Sequence, residues 1–462
     1  MGSEVYFMDA RSNSVETSLV SKLERVFDEA GFQELIKKDD VVAIKLHCGE
    51  WNNSSYLRPV YARALADKIK GLGGRPFVCD TTTLPYTTYA SRVTELDLLT
   101  TAERNGYSAA VLGCPFICAD GFNGTDDFHV PLPEGYILKE AYVANAIAAA
   151  DVLIALTHFK GHPLGVIGGS IKNLGIGAQS KRGKFNTHMG GHPLYGLSTS
   201  ILHPESYGGR NGDEHWRVLQ DVCPYGLFHV TEDSVKWNQE NCRSCLACLP
   251  ELLGRGIVEL PEANFEATCA AIADACLATV KAVGKGKVAF INMAIDISPL
   301  CDCVNHSDMS LVPNLGVFAS FDPVAVDKAC IDKVTEAVGM TDSKAEEMEV
   351  SASGERKFEA CSALMSGLTE EMQLNVGEIN GLGSRKYELI EVEKGQSEHY
   401  AFPPDPRPVG VRFRKLFKKI PPYPADRHDG KGFAREEKVD LEGINRYLNG
   451  SKQQSGAEVK ES

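Results

Sequence analysis

Apolar positions in the first part of the chain switch repeatedly between two spacings. In "ETSLVSKLERVFDEA", Leu19, Leu23, Val26 and Phe27 fall on one face of a helix. "DDVVAIKLH" is a short apolar run that ends in polar residues, as a buried parallel strand reads. "RPVYARALADKIKGLGG" is a helix stopped by glycines, and "RPFVCDTT" is the next strand. "EAYVANAIAAADVLIALTHF" reads as a helix followed by a strand over Val152–Leu156. The rhythm breaks after about Gly190, where residues 191–222 are rich in Gly, His, Pro and Ser. It resumes with the strand "KVAFINMAID", the strand and helix of "GVFASFDPVAVDKACIDKV", and the strand "YELIEVEK". Asp322-Pro323 reads as an N-cap and first helical position. Strands alternating with helices predict a layered α/β body with a mostly parallel sheet.

Composition narrows the class. The 462 residues suggest about two to four domains. A hydrophobic fraction of 43% supplies a buried core. The net charge of −14 argues against nucleic acid as a partner, which needs a basic surface. No apolar run has transmembrane length, and no secretory signal pattern opens the chain, so a cytoplasmic location is expected. In such a setting the 14 cysteines are metal ligands, reactive thiols or small buried residues rather than disulfides. Cys79, Cys269, Cys276 and Cys330, in apolar strand-like and helix-like stretches, read as buried and inert. Cys114 and Cys118 read as strand-end packing.

One cysteine segment carries chemistry. "ENCRSCLACLPELL" places Cys242, Cys245 and Cys248 at C-x2-C-x2-C, the ligand loop of a cubane iron–sulfur cluster, but no fourth cysteine follows. Upstream, Cys223-Pro224 precedes an expected hairpin made of "GLFHV", a polar turn and "VKW". In two-cluster ferredoxins the cysteine of the C-P pair ligates the other cluster. Cys223 is therefore the natural fourth ligand, and one 4Fe–4S cluster is expected. A structural zinc is the main rival, although the paired C-x2-C knuckles of zinc sites are missing. This divides the chain into an α/β body over 1–212, a ferredoxin-type insertion over 213–252, the rest of the body over 253–395, and an extended Pro-rich and basic tail over 396–462. Within the tail, "VRFRKLFKKI" reads first as a solvated arm. Its sharper alternative is a docking segment for an acidic partner or membrane surface.

A second constellation lies in "THFKGHPLGVIGGSIKNLGIGAQSKRGKFNTHMGGH". His158, Lys160 and His162 alternate at a strand end. Lys172 and Asn173 follow a glycine pair, Lys181, Arg182 and Lys184 add charge, and His188 and His192 come next. Lys45 and His47, in "AIKLHCGE", end another strand. The carboxyl ends of parallel strands face the ligand crevice, so these residues are expected to converge on one cationic pocket. Lys172 and Lys160 would bind an anionic group there, with a histidine as proton donor. Cys301 and Cys303, in "SPLCDCVNH", sit after another strand and would hold a second metal, with Asp302 or His306 nearby, or act as thiols.

Taken together, "VAIKLHCGE", "FVCDTTTLP", "ADGFNG", "THFKGH", "GGSIKNLGIG", "KRGK", "CDC" and "GVFASFDPVAVDKA" resemble the uncharacterised Fe–S centre proteins with the domain of unknown function 362. The resemblance spans about residues 4–392. It leaves out Cys114, Cys118 and the tail. It implies an α/β body with an iron–sulfur module but no established reaction. A fainter resemblance to nickel-pincer lactate racemases aligns Lys172, His158 and His188 with a cofactor-bearing lysine and its flanking histidines. The expectation is a redox enzyme whose cluster exchanges electrons with a small anionic substrate or a metal in the pocket. The alternatives are a non-catalytic electron carrier that meets a redox partner protein, and a racemase-like metal enzyme with a structural cluster.

Overall fold

The computed structural model describes residues 2–84, 90–196, 199–202, 212–231, 235–245, 247–248, 258–259, 261–393 and a few isolated positions beyond. Residues Met1–Ser397 form one compact unit and Glu398–Ser462 another. The basic segment 411–420 and the proline-rich stretches around it fall almost wholly outside the described residues.

The first unit is built on an eight-stranded sheet. Its strands are β1 (Ser3–Asp9), β2 (Val41–Lys45), β3 (Arg75–Asp80), β4 (Phe116–Cys118), β5 (Val152–His158), β6 (Val288–Ala294), β7 (Gly316–Ser320) and β8 (Tyr387–Glu391). Their spatial order is β8-β1-β7-β6-β5-β2-β3-β4. Every pairing is parallel except those of β7 with β1 and with β6. The predicted mostly parallel α/β body is therefore what the chain forms.

Both faces of the sheet are covered, as apolar runs without alternation require. In β5, Leu153 and Ala155 pack into one core, and Val152, Ile154 and Leu156 into the other. Helix α1 (Leu19–Glu29) and α2 (Pro59–Gly71) cover the second face with Leu23, Val26, Phe27, Leu65 and Ile69. The first face is covered by α3 (Ser170–Gly175), α5 (Glu262–Val283) and α6 (Pro323–Glu336), with α4 (Lys181–Thr187) beside them. The Ala- and Cys-rich surface of α5 lets it lie against α3. A Cβ added at Gly175 would stand 2.1 Å from the Ile272 carbonyl oxygen. Helix α6 starts as predicted, with Asp322 Oδ1 accepting from the amides of Val324 and Ala325.

Two local readings change. "EAYVANAIAAA" is not a helix: Glu140–Ala144 is a strand paired antiparallel with Asp127–Pro131, and only Asn145–Ala148 turns helically. Alanine favours helix, but pairing across the hairpin outweighs that preference. Strand β5 also runs two residues further than predicted, to His158. Cys79, Cys114, Cys118, Cys269, Cys276 and Cys330 are buried, as expected of inert thiols. Among the described residues no helix is long and apolar enough to cross a membrane.

Candidate functional site

The carboxyl ends of β2, β3, β5 and β6 deliver polar residues to one edge of the sheet. Lys45 is fully buried at the end of β2. Its Nζ meets Asp80 Oδ1 at 3.0 Å, the Leu46 carbonyl at 2.7 Å and Asn173 Oδ1 at 3.1 Å. Asn173, on α3, donates back to the Lys45 carbonyl and to Thr157 Oγ1, which ties α3 to two strand ends. These two residues brace the edge from beneath. Burial alone would raise the Asp80 carboxyl, but the charges of Lys45 and Arg92 prevail and lower it.

His158 occupies a different position from the one expected. Its Nδ1 faces both oxygens of Asp302, at 2.9 and 3.0 Å, and its Nε2 faces the Ile295 carbonyl at 2.8 Å. Protein acceptors take both ring nitrogens, so His158 is a support and not a proton donor to the pocket. Lys160 is likewise committed, to Asp302 Oδ2 at 3.1 Å and to the His158 carbonyl at 2.8 Å. The physical reason is the strand itself. Side chains alternate across the sheet, and His158 falls on the side where the loop after β6 returns. Burial would raise the Asp302 carboxyl, yet His158 and Lys160 hold it far below the ordinary carboxylate range. This buried triad clamps the Cys301–Cys303 loop.

The thiols flanking Asp302 meet Lys172 and His162. Lys172 Nζ lies 3.2 Å from Cys301 Sγ. Burial opposes ionisation of Cys301, but a hydrogen bond from Cys303 and the charges of Lys172 and Lys160 outweigh it and hold the thiol well below its usual range. The hydrogen bond to Cys301, then burial, push the Cys303 thiol well up. His162, Cys301 and Cys303 offer ligand atoms all within 4.8 Å of one another, a group that can hold a metal ion. His162 Nδ1 accepts from the amides of Leu164 and Gly165 at 3.2 and 2.9 Å. The proton of its neutral ring is thereby assigned to Nε2, and a metal bound there would displace it. His306 is exposed and stands outside this group.

A cavity opens beside the thiols. His47, Arg92, His162, Lys172, Lys184 and Cys303 line it, together with His188. His47 uses Nδ1 to accept from the Gly49 amide at 3.0 Å, which leaves Nε2–H for the cavity. His188 donates Nδ1–H to the Lys184 carbonyl at 2.7 Å. Burial pushes His162 down to about 3 and His188 down to about 4. Burial, then the charges of Arg92 and Lys172, lower His47 well below its usual value. The histidines that line the cavity are therefore neutral near pH 7.

Arg92 escaped sequence reasoning because it lies in no motif. It is held by Glu50, through Nε to Oε1 at 2.9 Å, and by Asp80 at 3.3 Å. The basic run around Lys184 was legible, but its partner Thr81 was not.

The cysteine segment forms its own small cavity. Cys223, Cys242, Cys245 and Cys248 line a small space with Tyr225, Leu227, Phe228 and Trp237. The expected hairpin is present, with Phe228–Val230 paired antiparallel to Val235–Trp237. The amides of Leu227 and Ser244 donate to Cys223 Sγ and Cys242 Sγ at 3.4 Å, the kind of bond that stabilises cluster thiolates. A tetrahedral zinc would gather its sulfurs to about 3.8 Å from one another. Among the described residues, the donors gathered within 4.8 Å are His162, Cys301 and Cys303, and no three of the four cysteines come that close to one another. Apolar walls and amide-to-sulfur bonds are compatible with a metal centre held by these four cysteines.

Fold and site together define an α/β protein with a cationic cavity lined by Cys303 and histidines, and a separate four-cysteine cavity. The chain belongs to the family described as a domain of unknown function, DUF362, which matches residues 42–332. No curated protein matches the sequence. Among solved structures, one similar chain is the lactate racemase apoprotein from Thermoanaerobacterium thermosaccharolyticum, at 14% identity and a TM-score of 0.35. The match covers 72% of this chain and 58% of that one, less than two thirds of its length.

Proposed function

We propose that the chain is an iron–sulfur oxidoreductase acting on a small anionic substrate in the cavity beside Cys301 and Lys172. One observation carries this reading. A four-cysteine cavity with amide-to-sulfur bonds and a buried cavity lined by Cys303, imidazoles and cationic side chains, with Cys301 against Lys172 beside it, occur in a single chain. Cys223, Cys242, Cys245 and Cys248 would hold a 4Fe–4S cluster, which supplies electrons one at a time when bound. The remaining work falls to the chain's own side chains. Lys172 and Cys303 keep Cys301 charged. His47 and His162 present Nε2–H toward a ligand oxygen, where a neutral imidazole can donate a hydrogen bond that stabilises developing negative charge. Asp302, His158 and Lys160 hold the thiol loop in place.

Anaerobic purification with iron and sulfide quantification, followed by EPR of the reduced protein, tests the reading. About four iron and four acid-labile sulfide per chain, with a cubane signal that is lost in Cys245→Ser, are expected. One zinc and no acid-labile sulfide would sink it.

A second reading is favoured by the donor group His162, Cys301 and Cys303: a metal enzyme whose cluster is structural. It predicts a further metal that survives in Cys245→Ser and disappears in Cys303→Ser, with turnover unchanged in a folded Cys245→Ser protein.

A further inference from the structure

The cations around the main cavity sort by partner. Lys45 is paired with Asp80, and Lys160 with Asp302. Lys172 lies against Cys301 Sγ. Lys160 and Lys172, the expected anion binders, are thus engaged within the protein. Lys184 differs. It is 4% exposed and donates to Thr81 Oγ1 at 2.8 Å and to the Gln179 carbonyl. Among the described residues no carboxylate lies within 4.0 Å of it. An ammonium group has three protons, so one donor remains. Arg92, also 4% exposed, spends Nε on Glu50 and Nη1 on Asp80 and the Thr81 carbonyl. Its Nη2 makes no hydrogen bond to the described residues. Both side chains line the cavity that His162 and Cys303 also line.

We propose that Arg92 and Lys184 form an oxyanion-binding end of this cavity, so that the substrate is a small molecule bearing one carboxylate or phosphoryl group. The proposal rests on reading the cavity as a substrate site. Asp120 and Asp80 attract Lys184 without pairing with it at contact distance, and a buried ammonium lacking a contact ion pair marks a place where an anionic ligand can complete one. The two donors are also rigid before any ligand arrives. Glu50 and Asp80 fix the guanidinium. Thr81 accepts from Lys184 while donating to the Gly177 carbonyl at 2.6 Å, which sets the direction of the lysine. A planar guanidinium beside an ammonium matches the two oxygens of a carboxylate or the face of a phosphoryl group. The thiol and imidazole end of the cavity then meets the rest of the molecule.

The test uses the full chain, purified anaerobically in buffer free of other oxyanions. The unfolding midpoint is followed against acetate, methylphosphonate and, as the uncharged control, acetamide. A saturable rise with at least one anion and none with acetamide is expected, and the responding anion tells carboxylate from phosphoryl recognition. Lys184→Met should weaken that affinity about ten- to a hundredfold, as loss of a charged hydrogen bond does, while Lys184→Arg keeps it within a few-fold. If Lys184→Met does not fold, Arg92→Lys, which keeps the charge and loses the fork, should show the weakening. No saturable rise with either anion in the natural protein overturns the proposal, as does an affinity unchanged in both weakening variants. Iron and sulfide measured on the same samples show separately whether the cluster reading has failed.

Discussion

Replacing Asp302 by asparagine probes the clamp that holds the thiol loop. The change keeps shape and removes one charge. Asp302 is fully buried and accepts from His158 Nδ1 at 2.9 and 3.0 Å and from Lys160 Nζ at 3.1 Å. Without the carboxylate, Lys160 is a buried ammonium with only a carbonyl for company, and His158 faces an amide that offers it N–H as readily as oxygen. Removing one partner of a buried charge pair destabilises by about 3–5 kcal/mol. Urea unfolding gives the number directly, provided the slope is unchanged. Asp302→Asn combined with His158→Asn should be less damaging than the sum of the single changes, because both act on one network. The pH dependence has a definite sign. The folded-state carboxyl lies below its unfolded value of about 3.9, so its stabilisation is complete above that pH and is lost as the pH falls through the folded value. The gap between the natural protein and Asp302→Asn should be flat from pH 8 to pH 5 and close only in stronger acid. A loss below about 1 kcal/mol, or a gap that closes between pH 7 and pH 5, would refute the clamp.

Three further outcomes follow from the geometry. Burial pushes Lys184 down to about 8 against the pull of Asp120 and Asp80, so acetate binding should weaken as the pH rises past about 8, and a flat titration from pH 7 to pH 10 would contradict this. The same depressed value means that folding gains stability as the pH rises from about 8 toward the unfolded lysine value. Gly175→Ala puts a methyl group 2.1 Å from the Ile272 carbonyl and should destabilise by about 1–3 kcal/mol in thermal unfolding, whereas an unchanged midpoint would mean that α3 and α5 can separate freely. Ser244 is fully buried at φ +51°, and its hydroxyl has no partner among the described residues. Ser244→Gly should therefore raise the urea midpoint, by about 1 kcal/mol in stability, and a lowered midpoint would show that the hydroxyl has a use.

What could be read in the sequence was whatever depended on neighbours along the chain. The strands β2, β3, β5 and β6 are apolar runs that end in polar residues, and the N-cap at Asp322 is local. The C-x2-C-x2-C loop and its hairpin are local too, since a short peptide wraps the whole cavity. The pocket was legible only as a set of residue types at strand ends. Which ones face the cavity depends on contacts across the fold. His158 and Asp302 are 144 positions apart, and Arg92 and Glu50 are 42 apart. No periodicity encodes that His158 spends both nitrogens on the protein. Lys184 stood out as charge, but its lack of a carboxylate partner is a property of the packed structure. The helix expected over Glu140–Ala144 failed for the same reason, since its hairpin partner lies outside any helical window.

The sheet order has a consequence for synthesis. Strand β1 lies between β7 and β8, with Phe7 opposite Phe318 and Tyr6 beside Ile390. On the ribosome this first strand has no partner until residue 320 has emerged. At about 5–20 residues per second that wait lasts roughly 15–60 s. During it, the edge of β1 is open to any other extended chain, and β6 has just left the ribosome with its own edge uncovered. The cysteine segment is made well within this interval. A cell that delays or truncates translation after β6 would therefore accumulate a sticky half-sheet that already carries all four cysteines of the smaller cavity.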